Sequence, residues 1–176
     1  MVVPKYLQHL FDVNYIKRNT PSYKDLRVTL KKIRNKGVGL VATREIKKGS
    51  LIAYYRMSVF DTNSYVSPTD YAYTFTIYTK KGNESKKFIG DLSPASWSLP
   101  CGGVPFWAYF SNEPSGNQQS NSRIDENIAG NYRNRNILHE SDTVVYRLLA
   151  TRNIKKGEEI IWCYGDAYVR EYVPNC

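Results

Sequence analysis

The sequence predicts a mainly β (β+α) domain preceded by one N-terminal helix. Three observations carry the prediction. Short β-branched and aromatic runs recur from Leu26 onward, glycines punctuate them, and Tyr73-Thr74-Phe75-Thr76-Ile77-Tyr78 alternates with period two. A length of 176 residues and 41% hydrophobic content suit a single domain able to bury its own core.

Behind Pro4, which suits a first helical turn, Tyr6, Leu7, Leu10, Phe11 and Ile16 fall at helix-like spacing, predicting one amphipathic helix over Lys5 to Arg18. Asn19-Thr20-Pro21-Ser22 reads as a turn. Strands are expected at Val28 to Ile33, Leu40 to Thr43, Leu51 to Tyr55, Tyr73 to Thr79 and Lys87 to Ile89, with Gly82-Asn83 turning between the last two. Asn112 to Arg123 holds no large apolar residue and reads as a long polar loop, which is uncommon inside a compact domain unless it works. Strand signals resume at Thr143 to Leu149 and Glu159 to Trp162, and Asp166 to Tyr172 suits a closing helical turn. Residues 1–25 are thus expected to form a helical extension, and residues 26–176 the main domain with a short C-terminal tail.

One segment occurs twice. Ala42-Thr43-Arg44-Glu45-Ile46-Lys47-Lys48-Gly49 returns as Ala150-Thr151-Arg152-Asn153-Ile154-Lys155-Lys156-Gly157, differing at one position. Two copies far apart do not make a solenoid; they imply one strand-turn-strand corner used twice.

Composition excludes several classes. No apolar run approaches the roughly 20 residues that a membrane helix needs. Met1-Val2-Val3-Pro4-Lys5 does not read as a secretory signal, so an intracellular protein is expected. Cys101, Cys163 and Cys176 are odd in number and widely spaced, and with only His9 and His139 beside them they support neither a disulfide framework nor a metal site. The net charge of +9 is distributed in pairs such as Lys31-Lys32, Lys47-Lys48 and Lys155-Lys156. Solvated lysines at hairpin tips explain most of it, and a weak nucleic-acid contact is the other reading.

Three motifs carry chemistry. Lys36-Gly37-Val38-Gly39-Leu40 sets two glycines before a strand, where a ligand can approach the backbone closely. Phe110-Ser111-Asn112-Glu113-Pro114 presents an amide side chain at a loop entrance, with both donor and acceptor. Gly157-Glu158-Glu159-Ile160-Ile161-Trp162-Cys163-Tyr164-Gly165-Asp166 runs from a polar turn through an apolar strand to a tyrosine beside a glycine. Each alone suits an ordinary turn or a packed core residue.

Together and in order, with the Y-x-F segment Tyr73-Thr74-Phe75 between the first and the second, they resemble the SET-domain family of protein-lysine methyltransferases, over about Leu26 to Tyr172. The resemblance is to a compact form without cysteine clusters before or after the domain, similar to small viral SET proteins. The loop departs from the family's N-H-S, having Asn112-Glu113-Pro114, and Tyr109 replaces an arginine common three positions before the asparagine. Cys163 stands where an Asp often precedes the final tyrosine.

The resemblance implies small curved sheets with a knot-like C-terminal arrangement and S-adenosylmethionine as methyl donor. It implies Tyr164 as the catalytic tyrosine. Lys36, Gly37, Val38, Gly39, Leu40, Tyr109, Asn112 and Glu113 would hold the cofactor. Tyr73, Trp162 and Tyr168 would line the channel for the target lysine, with Tyr71 competing with Tyr73. Trp162, two positions before the catalytic tyrosine, favours mono- or dimethylation by its bulk. The implied substrate is a protein, a histone tail first, which would make the protein nuclear; a non-histone substrate would place it in the cytoplasm. A module that has lost turnover and only binds chromatin or another protein is the alternative from a different class. Homodimerisation would be one way to complete the cofactor pocket.

Overall fold

A computed structural model describes residues 4–19, 26–69, 71–81, 84–96, 104–126, 138, 142–166, 168, 170 and 172–176. Two antiparallel sheets form the domain. Strands β1 (Val28–Ile33) and β2 (Gly37–Ala42) make a hairpin. Strands β3 (Leu51–Asp61), β4 (Phe75–Lys81), β5 (Glu84–Leu92), β6 (Ser122–Asp125) and β7 (Thr143–Ala150) make a five-stranded sheet in the order β4-β5-β3-β7-β6. Among the described residues, no helix is long and apolar enough to cross a membrane.

Period-two burial explains why β3 and β7 lie centrally. In β7, Val144, Tyr146, Leu148 and Ala150 point inward, and the residues between them are half-buried. Strand β3 continues past the expected end at Tyr55, because Met57 and Val59 keep the same alternation and are fully buried. The sheet's inner face, the hairpin and the N-terminal segment share one core, into which Leu7, Leu10 and Ile16 project.

The N-terminal segment is not one helix. It is a short 3₁₀ helix, Lys5–Leu10, followed by helix α1, Val13–Arg18. Asp12 breaks it: its backbone is extended, and its carboxylate accepts from the N–H groups of Asn14 and Tyr15 as an N-cap.

Four further expectations change. Residues 159–162 form no continuous strand; Glu159 bridges Val41 and Ile161 bridges Asn112, so the segment threads between two neighbours. The described residues of 166–172 form a turn and bends instead of a helical turn. The polar loop is pinned, since Asn121 and Ser122 are buried and β6 begins inside it. Cys163 and Cys176 form a disulfide, because the tail folds back and brings their Cα atoms to 6.0 Å. Odd count and wide spacing gave no sign of that pairing. The expected turn at Gly82-Asn83 and most of the Asn19-Thr20-Pro21-Ser22 turn lie outside the described residues.

Candidate active site

The repeated corners set the path of the segment that reaches the site. Ile46 and Ile154 exchange backbone hydrogen bonds, N–H to O at 2.9 and 2.8 Å, so the two copies dock on each other. The second corner then releases residues 158–164 alongside β2 and the Asn112 loop, where Ile160 N–H donates to Leu40 O and Trp162 N–H to Asn112 O.

A cavity of about 1360 Å³ opens at this junction. Of the residues expected at the site, Lys36, Gly37, Val38, Tyr71, Tyr73, Tyr109, Asn112, Glu113, Trp162, Tyr164 and Tyr168 line it. The other two lie behind that lining. Leu40 is buried in the core, and Gly39 backs onto Asn112.

The glycines have different reasons. Gly37 has φ +76° with nothing near its Cα substituent position, so it serves the turn and leaves the approach open. A Cβ on Gly39 would lie 2.7 Å from Asn112 Nδ2 and from Ile33 Cγ1; this glycine makes room for the asparagine. Asn112 Nδ2 donates to Glu159 Oε1 at 2.9 Å. Because a carboxylate only accepts, that bond fixes the amide's orientation and leaves Asn112 Oδ1 as an acceptor. Lys36 Nζ donates to Glu113 O and Gln118 Oε1 at 2.7 and 2.6 Å, tying hairpin to loop.

Aromatic rings form the other wall. Tyr164 packs at 5.1 Å from Trp162 and edge-on to Tyr168 at 4.8 Å, and Phe75 stacks on Trp162 at 6.0 Å. The Tyr164 hydroxyl donates to Ser111 O at 2.8 Å, which directs its lone pairs away from that carbonyl. Burial pushes the Tyr164 phenol well above the usual tyrosine range, and neighbouring Tyr168 and Tyr172 add to the shift. Burial likewise raises Tyr73 to about 12. Both stay neutral at physiological pH. Tyr71 sits at the rim, half exposed, with left-handed backbone (φ 60°) held by its hydroxyl donating to Tyr65 O.

Tyr109 is buried, and its hydroxyl donates to Leu10 O, so it anchors the N-terminal segment beside the cavity. Phe11 from that segment lines the cavity and packs on Tyr73 at 5.3 Å. Tyr55, Phe75 and Tyr172 also line it. Of these four, Phe75 belongs to the Y-x-F segment and is given no site role by the sequence; Phe11 falls within the expected amphipathic helix, and Tyr55 and Tyr172 are two of 15 tyrosines.

The SET domain family model matches residues 37–165, so the chain belongs to the SET-domain family. No curated protein matches the sequence. Among solved structures, a Plasmodium falciparum protein proposed to be a histone methyltransferase is 17% identical, with TM-score 0.49, covering 81% of this chain and 96% of that one. CpSET8 of Cryptosporidium is 16% identical, with TM-score 0.49, covering 79% of this chain and 57% of that one. KRYPTONITE, in complex with mCHG DNA and SAH, is 21% identical, with TM-score 0.48, covering 81% of this chain and 24% of that one. The chain therefore spans little more than half of the second and a quarter of the third.

Proposed function

We propose that the protein is an S-adenosylmethionine-dependent protein-lysine N-methyltransferase in which Tyr164 is the catalytic tyrosine. One observation carries the reading: a single cavity gathers the glycine turn, the oriented Asn112 amide and the Tyr73, Trp162, Tyr164 and Tyr168 rings. The residues suit the cofactor. The open approach over Gly37 admits a ligand to the backbone, Asn112 Oδ1 offers an acceptor to an ammonium group, and aromatic faces suit a sulfonium.

A lysine amine with a reference pKa of about 10.4 must lose its proton before it attacks a methyl group, at a cost of roughly 4 to 5 kcal/mol at pH 7. The bound cofactor would supply the methyl group and a positive charge. Beside the bound cofactor's positive charge, desolvation of the amine in the cavity would disfavour its ammonium form, and this chain supplies a neutral Tyr164 phenol whose hydrogen bond to Ser111 O fixes its direction. Trp162, stacked on Phe75, fills space beside Tyr164 and limits the product to mono- or dimethyl-lysine.

A basic histone tail is the first substrate class, with nuclear localisation following from it. A non-histone substrate is the second class, since a chain of net charge +9 is a poor electrostatic match for a basic tail. Near the site, Asp125 is buried against Arg147 and Glu158 pairs with Arg152 at 2.6 Å, whereas Glu126 is exposed and lines the cavity.

Calorimetry with S-adenosylhomocysteine separates enzyme from binding module. The folded protein is expected to bind it with a micromolar Kd of about 1 to 100 μM, or −8 to −5 kcal/mol. No heat from folded protein would transfer the reading to the binding module.

A further inference from the structure

Glu113 departs from the family's loop motif, and its surroundings give it a distinct job. Its side chain is only 1% exposed. The carboxylate accepts from Tyr164 N–H at 2.8 Å, from Arg170 Nε and Nη2 at 2.9 Å each, and from the Tyr172 hydroxyl at 2.8 Å. Arg170 Nη2 also donates to Gly165 O at 2.7 Å, closing the turn that follows Tyr164. The Arg170 guanidinium lies 5.2 Å from the Tyr168 ring centre, and Tyr168 is the ring set edge-on against Tyr164. One buried anion therefore reaches Tyr164 twice, directly through its backbone and indirectly through Arg170 and Tyr168.

We infer that Glu113 is a positioning residue: it fixes Tyr164 and, with Arg170 behind them, seats Tyr168 and Tyr172 of the tail as one wall of the cavity. The inference rests on the methyltransferase reading for its kinetic consequence and on contacts alone for its structural one. Buried carboxylates persist when paired and fully hydrogen-bonded, and this one is. The tail is fastened again beyond the latch, by Cys163–Cys176 and by Asn175 Nδ2 donating to Gln118 O at 2.8 Å. Glu113 stands among the residues expected to hold the cofactor, but its carboxylate is taken up by Tyr164, Arg170 and Tyr172; Gly37 and Val38 lie on the hairpin and the neighbouring Asn112 amide is held by Glu159, so loosening the wall should affect turnover more than cofactor affinity.

Glu113→Gln tests this with little change in shape. An amide oxygen can still accept from Tyr164 N–H and Arg170 Nη2, but its NH2 then faces Arg170 Nε donor against donor, and the Tyr172 hydroxyl has to turn round to accept. Wild type, Glu113→Gln and Tyr172→Phe are compared, with the disulfide kept oxidised, by amide hydrogen exchange, S-adenosylhomocysteine calorimetry and labelled methyl transfer to lysate proteins. In Glu113→Gln, exchange over residues 164–172 should quicken about tenfold while β3 and β7 keep their protection. Turnover should fall about tenfold, with KM for S-adenosylmethionine and the S-adenosylhomocysteine Kd within about threefold of wild type. Tyr172→Phe, which removes one bond of four, should shift both readouts in the same direction by less.

Unchanged tail exchange in Glu113→Gln would overturn the inference whatever the activity. Faster exchange throughout the sheet, with affinity and turnover falling together, would overturn it too, reducing Glu113 to a general stabiliser. A wild type that labels nothing would overturn the methyltransferase reading, and tail exchange would still decide the latch.

Discussion

The corners at 42–49 and 150–157 differ only in Glu45 against Asn153, and they fold alike, yet they lead to unlike regions. Gly49 N–H donates to Ala150 O and Gly157 N–H to Ala42 O; both glycines are left-handed, at φ +81° and +86°. The first corner feeds β3, the middle of the sheet. The second feeds Glu159, Trp162 and Tyr164, of which Trp162 and Tyr164 line the cavity and Glu159 holds Asn112. Repeated sequence here specifies geometry, and the chemistry lies in the residues that each copy leads into. The stability of the pair should therefore be symmetric and the function one-sided.

The largest expected effect tests that symmetry. Ile46 and Ile154 are both buried, at 2% and 0% exposure, so Ile46→Ala and Ile154→Ala should each cost about 3 kcal/mol by chemical denaturation. Costs differing by more than about 2 kcal/mol would break the equivalence.

Function should separate next. Glu159→Gln puts an amide opposite Asn112 Nδ2 and Gln118 Nε2, which now donate to the carboxylate at 2.9 and 3.1 Å. Calorimetry should show S-adenosylhomocysteine bound about tenfold more weakly, or roughly 1.4 kcal/mol, because the Asn112 acceptor loses its fixed direction. Unaltered affinity would detach the second corner's continuation from cofactor binding.

The one differing residue gives a smaller contrast. Asn153 Oδ1 accepts from Lys48 N–H at 2.9 Å, so Asn153→Ala should cost about 1 kcal/mol in thermal unfolding. Among the described residues Glu45 holds an exposed pair with Lys47 alone, and Glu45→Ala should leave stability unchanged.

The smallest expected effect concerns pH. Raised tyrosine pKa values add stability that is fully present below about pH 10 and is lost as pH rises through the folded values, from about 12 at Tyr73. No cavity tyrosine with a raised value then titrates between pH 7 and 9. The slope of rate against pH in that range should belong to the substrate amine and survive Tyr73→Phe unchanged.

Much of the fold was legible because burial imposes period two. Strand β1 was found at its observed limits, while β3 was underread, where Met57 and Val59 continue inward past the polar Arg56 and Ser58. Local side-chain capture was less legible: Asp12 turned one expected helix into two by accepting from Asn14 and Tyr15. The site's glycines, asparagine and tyrosine were visible as motifs. Of its tail only Tyr168 was, since the Glu113 contacts to Arg170 and Tyr172 span more than fifty residues, and no periodicity joins them. The Cys163–Cys176 pairing was hidden because the fold-back of the tail, not the spacing, brings the two together.

Whether Tyr164 serves methyl transfer is decided by labelled S-adenosylmethionine offered with core histones and with a cell lysate, wild type and Tyr164→Phe compared side by side. Labelled protein is expected with wild type, and a loss of about 10²-fold in the variant, since the hydroxyl held by Ser111 O is removed while the ring remains. Equal labelling by the variant, or none by folded wild type on either target, would contradict the assignment.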